Sequence, residues 1–277
     1  MPISSRHEQA EGLRDQAEGL RQMFANACAR FVPVVSNPHV ACGGVLLERL
    51  CTAFAERGAR VLVVDASERA GVAGEMAMID LSQCVERLAP RVAYLAAHGL
   101  PIRFVDAQGS TRAFLERAAE AAPGCELVLV HADARELCRM FAHGRRGREA
   151  DAIDAPCPIV LADDRPQSVT HAYASMKLLA QRANLVVCDL MLGAAPHSPR
   201  ADRIAAKLAG CADNFFAGVL RDWARVDPAG DPGEAPSEAL RRLVAARFEN
   251  PTAIRPSSQP LARREPLHSA HWRQATP

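Results

Sequence analysis

The chain has no apolar run long enough to cross a bilayer. Its longest aliphatic stretches, such as "VLVV" at 61–64 and "LVLV" at 127–130, fall far short of the roughly 20 residues a spanning helix needs. The opening "MPISSRHEQAEG" lacks the apolar centre of a secretion signal. No C-x-x-C and no paired histidine spacing occurs among the 9 cysteines, so neither a disulfide framework nor a zinc site is expected. A cationic surplus is missing too: 33 Lys and Arg face 32 Asp and Glu, a formal net charge of +1. A nonspecific nucleic-acid surface needs dense positive charge, so that function class is disfavoured. These absences together predict a cytoplasmic, reduced, metal-free protein.

What is present is a globular composition, 49% hydrophobic and 23% charged over 277 residues, enough for one large α/β core. Apolar runs at 31–36, 60–65, 92–97, 102–106, 126–131, 158–163 and 185–189 predict strands. Most are continuous rather than alternating, as parallel strands covered on both faces are. Helical patterns such as "GVLLERLCTAFAERG", "STRAFLERAAEAA", "QSVTHAYASMKLLAQRA" and "RADRIAAKLAGCADNFF" lie between them. Strand–helix alternation predicts an α/β fold with a doubly wound, mostly parallel sheet. Ligands of such sheets sit at the carboxyl ends of strands, which selects the loop "NPHVACGG", Asp65 and His131.

The flanks differ from this body over 31–249. From Asn250 to Pro277 the sequence is rich in Pro, Ser and Arg without periodicity, and reads as a disordered tail. Residues 1–30 form an N-terminal helical extension that holds a repeat, "EQAEGLR" at 8–14 followed by "DQAEGLR" at 15–21. The period of seven sets Ala10, Leu13, Ala17, Leu20 and Phe24 on one stripe, with Asp15, Gln16 and Arg21 beside it. Gly12 and Gly19 each cost about 1 kcal/mol in a helix, so the segment should need something to fold against.

The strand–loop–helix–strand unit over 31–67 has the outline of a phosphate cradle, yet the loop has no lysine, and Pro38 has no N–H to offer an anion. "DQAEGLRQMF", "GARVLVVDAS", "DDRPQSVTHAYASMKLL", "LVVCD" and "RADRIAAKLAGCADNFFAGVLRDWARVDP" follow in order. In that order they resemble the FlhG group of MinD/ParA-like regulators of flagellar number, over roughly residues 15 to 248. The resemblance implies a MinD/ParA-like P-loop fold, with a partner-binding N-terminal motif of Asp15, Gln16, Ala17, Leu20, Arg21 and Phe24. It implies that this motif engages and stimulates the flagellar SRP-type GTPase FlhF, with a flagellar transcription activator or basal-body components as further partners. A place at the cell pole or peripheral to the inner membrane goes with that role.

Laid on the family's "SGKGGVGKT", this chain reads "SNPHVACGG". The family's two lysines become Pro38 and Gly43, and its magnesium-binding threonine becomes Gly44. Asp65 is retained, while the second aspartate becomes Ser67, the sheet-end aspartate becomes His131 and the adenine-reading asparagine becomes Asp189. Losing two charge-assisted phosphate contacts weakens binding by about 10²–10⁴-fold. No cofactor and no catalytic residue is therefore expected, which makes the chain a pseudo-ATPase. ATP with magnesium, assisted by Asp133 and arginines supplied in trans, is the alternative, and a polar structural partner without GTPase contact is another. His131 reads as a packed strand-end residue and Cys42 as a small thiol without a base. "HGRRGRE" at 143–149 reads as a solvated loop. "SEALRRLVAARF" at 237–248 reads as the last helix covering the sheet rather than a membrane-seeking one.

Overall fold

The computed structural model describes residues 29–142, apart from 73, 75, 76, 78 and 79, and residues 156–249. The DQAEGLR repeat, the arginine-rich loop at 143–149 and the tail from Asn250 lie outside the described residues. Eight strands form one sheet: β1 (Arg30–Val35), β2 (Val61–Asp65), β3 (Val85–Ala89), β4 (Val92–Ala96), β5 (Leu127–Ala132), β6 (Ile159–Asp163), β7 (Val187–Gly193) and β8 (Val219–Val226). Their order is β3-β4-β2-β5-β1-β6-β7-β8, and every pairing is parallel except β3 with β4.

Six helices accompany the sheet among the described residues: α1 (Gly43–Glu56), α2 (Arg112–Ala121), α3 (Ala134–Phe141), α4 (Pro166–Ala183), α5 (Pro199–Phe216) and α6 (Glu238–Glu249). Both faces of the sheet are covered, which is why its central strands can be apolar throughout. On one face Phe114, Leu115, Leu137, Met140, Met176, Leu179 and Leu208 of α2 to α5 form a core layer. On the other, Leu46, Leu50 and Phe54 of α1 pack with Leu240, Leu243 and Val244 of α6. The apolar stripe of α6 is thus spent on the sheet, as its spacing predicts. No helix among the described residues is long and apolar enough to cross a membrane.

Several sequence expectations need correction. Residues 102–106 form no strand; Pro101–Phe104 is a 3-10 turn. Pro101 fixes the entry of that turn, and Phe104 packs on Phe114 at 5.5 Å. β3 and β8 were not foreseen, because "VERLA" and "VLRDWARV" interleave charges with apolar residues, the mark of edge strands. The seventh strand does not end at Asp189 but runs four residues further, to Gly193.

Candidate functional site

In-register parallel pairing brings the carboxyl ends of the central strands to one edge. Asp65 of β2 lies opposite His131 of β5, and Val34 of β1 opposite both His131 and Ile159 of β6. A cleft of about 600 Å³ opens there, lined by Asn37, Gly43, Gly44, Asp65, His131 and His171 among others. Sequence reasoning placed all of these but His171 at this edge, and α4 brings His171 in from the side.

Residues 36–42 connect β1 to α1, and several of their polar groups are already engaged within the protein. The buried Asn37 amide donates to the carbonyls of Leu161 and Ser168, both at 3.0 Å, and its Oδ1 accepts from the His39 N–H. The Val40 N–H donates to the Asn37 carbonyl at 3.1 Å. The Ala41 N–H donates to Asp163 Oδ2 at 3.1 Å, so a protein carboxylate occupies a loop donor. The loop carbonyls turn outward to two arginines: Arg69 donates to Pro38 and Val40, and Arg165 donates to His39. Arg165 also pairs with Asp163 at 2.8 Å, closing a ring of loop, carboxylate and guanidinium. Burial opposes ionisation of Asp163. The bonds from Arg165, Ala41 and Ser168 outweigh burial and hold its carboxyl below the usual carboxylate range.

Across the cleft, His131 Nδ1 meets Asp65 Oδ1 at 2.9 Å, the Ser67 N–H donates to the same oxygen, and the Tyr94 hydroxyl donates to Oδ2 at 3.3 Å. His131 is only 8% exposed. Burial raises the Asp65 pKa, but the His131 contact and the Ser67 bonds more than offset it and lower it overall. Burial and the Asp65 charge push the Tyr94 phenol up to about 12. Asp133 is not aimed at a metal: its carboxylate caps α3 by accepting from the N–H groups of Arg135 and Glu136. Among the described residues no cluster of His, Cys, Asp and Glu could hold a metal ion.

This pair sets an acid-stability prediction. A depressed carboxyl contributes stability that is present above its unfolded pKa and lost as pH falls through its folded pKa. Removing His131 raises the folded pKa of Asp65 toward the ordinary value. His131→Ala should therefore begin acid unfolding at a higher pH than the parent, read by circular dichroism across an acid titration. An unchanged or lower acid midpoint would show that the contact does not hold the Asp65 charge.

Asp189 is not at this edge. It lies inside the sheet beside Ile159, while Gly193 is the residue that ends β7 opposite Asp163. It cannot read a base there, because it is fully buried and held by Arg221 at 2.6 Å and by Arg247 at 2.7 Å. Sequence alignment to a strand-end motif missed this, since β7 outruns the motif. Pro38, Gly43 and Gly44 do line the cleft, and nothing lies within 4 Å of a Cβ built on Gly44. Cys42 sits just before α1, and its side chain does not cap the helix.

No protein-family model matches this sequence, and no curated protein matches it. Solved structures do. The MinD cell division protein of Aquifex aeolicus is 12% identical with a TM-score of 0.50, covering 80% of this chain and 97% of that chain. Cobyrinic acid a,c-diamide synthase of Mycobacterium smegmatis, with bound ATP analog and magnesium, is 13% identical with a TM-score of 0.53, covering 82% and 99%. A plasmid partition protein of Borrelia burgdorferi is 5% identical with a TM-score of 0.51, covering 80% and 99%. Identities this low speak for the fold alone: the chain has the MinD/ParA-type α/β fold.

Proposed function

We propose that this chain is a MinD/ParA-like pseudo-ATPase of the FlhG kind, which acts by binding partners and not by turning over nucleotide. The observation that carries this reading is the loop over 38–41, whose N–H groups are engaged within the protein or missing. A phosphate cradle offers successive N–H groups, a lysine and a hydroxyl to an anion and its metal. Here the N–H groups of His39, Val40 and Ala41 already have acceptors, Pro38 has none to give, and Gly43 and Gly44 supply neither charge nor hydroxyl. The groups present do not fit a magnesium nucleotide, so no catalytic step is assigned to the cleft. Asp65 paired to His131 is likewise committed within the protein.

The partner proposed is the flagellar SRP-type GTPase FlhF, engaged through Asp15, Gln16, Ala17, Leu20, Arg21 and Phe24. Apolar anchors flanked by hydrogen-bonding groups are the usual make-up of a helix that docks in a partner groove. Adding the full chain to FlhF should raise its GTP turnover. Leu20→Ala and Arg21→Ala should each weaken that stimulation by about 1–3 kcal/mol in apparent affinity, with little change in the melting temperature. Deleting 8–14 should weaken it less than deleting 15–21, because Glu8 stands where the second copy has Asp15. Deletions that leave GTP turnover untouched but destabilise the α/β domain would make the repeat a packing element.

A further inference from the structure

Three aliphatic and aromatic side chains stand out of the surface at the amino edge of the sheet, opposite the cleft. Phe215 in the last turn of α5 is 69% exposed, Val219 at the start of β8 is 51%, and Val186 just before β7 is 36%. They belong to one locality: the Val219 N–H donates to the Val186 carbonyl at 2.8 Å, and only Phe216, Ala217 and Gly218 separate Phe215 from Val219. Single exposed apolar residues are ordinary, but neighbouring large ones mark an interaction surface.

We propose that this patch receives the chain's own residues 13–24, the stripe of Leu13, Ala17, Leu20 and Phe24. Chain geometry supports this occupant. The described chain begins at Ala29, just ahead of β1 and so at the same amino edge. From β1 to β8 is three strand steps, through β6 and β7, or about 14 Å. Residues 25–29 can span at most about 17 Å, so Phe24 can arrive at β7 and β8 without slack to spare. The inference does not depend on which partner the repeat engages, but it makes that stripe and the patch compete with any such partner.

Hydrogen exchange on the full chain tests this, at a low and a tenfold higher protein concentration, with the peptide of residues 1–28 as reference. Backbone amides of 13–24 should exchange at least about 10-fold more slowly in the full chain than in the peptide, equally at both concentrations. The pair Phe215→Glu with Val219→Glu should abolish that protection and move the melting midpoint by less than about 2 °C, since both sites are exposed. Leu20→Glu, which leaves the α/β domain untouched, should abolish it from the other side. Peptide-like exchange in the parent chain overturns the proposal. So does protection that survives the patch variants, and protection that grows with concentration identifies a second copy as the occupant instead.

Discussion

Replacing Asp189 by alanine should destabilise the α/β domain by about 3–5 kcal/mol, the cost of leaving buried charge without its partner. Asp189 has no exposed surface, and it accepts from Arg221 through two bonds of 3.1 and 2.6 Å and from the Asp222 N–H at 3.1 Å. Arg247 lies 2.7 Å from it as an ion pair without hydrogen-bond geometry. Two guanidiniums thus depend on one carboxylate, and the Arg247 side chain is itself only 6% exposed. Such a loss is a large share of the roughly 5–15 kcal/mol a domain has in total. A fall in melting temperature on the order of 10 °C should follow. Arg247→Met should be milder, because it removes one buried cation and leaves the Asp189–Arg221 pair intact. Urea unfolding of both variants decides the matter, and a loss below about 1 kcal/mol for Asp189→Ala would show the network to be dispensable.

The second large effect is one of non-recovery. Installing the loop residues of the FlhG resemblance with Pro38→Lys, Gly43→Lys and Gly44→Thr together should not produce ATP turnover. Lysines and a hydroxyl supply charge, but the Ala41 N–H remains bound to Asp163 and the loop carbonyls remain bound to Arg69 and Arg165. His131 also still holds Asp65, and Ser67 cannot position water as a carboxylate does. The rate deficit expected is several orders of magnitude, since phosphoryl transfer rests on positioned metal and cationic groups. Turnover by the triple variant above that of the parent chain would show that these contacts yield to nucleotide.

The fold was legible because the continuous apolar runs of β1, β2, β5 and β6 are a direct consequence of burial on both faces. The edge strands were not legible, because β3 and β8 pair with one neighbour only and carry charges that break the pattern. Within α6 the sequence did hold an unread signal. Arg247 follows Leu240 by seven, Leu243 by four and Val244 by three, which sets it on the buried stripe and requires a buried acid to meet it. Only the three-dimensional register shows that the acid is Asp189, from a strand 58 residues away by subtraction of 189 from 247. In the site, the missing loop lysine was plain in the sequence. The use of Asp163, Arg69 and Arg165 to satisfy the loop was not, because long-range hydrogen bonds leave no periodic trace.

Calorimetric titration of the full chain with magnesium ATP tests the central claim most directly. Dissociation at about 1 mM or weaker is expected, with no hydrolysis on prolonged incubation, given two missing charge-assisted contacts and loop N–H groups already engaged at His39, Val40 and Ala41. Saturable binding in the micromolar range would contradict it and make the cleft a nucleotide site.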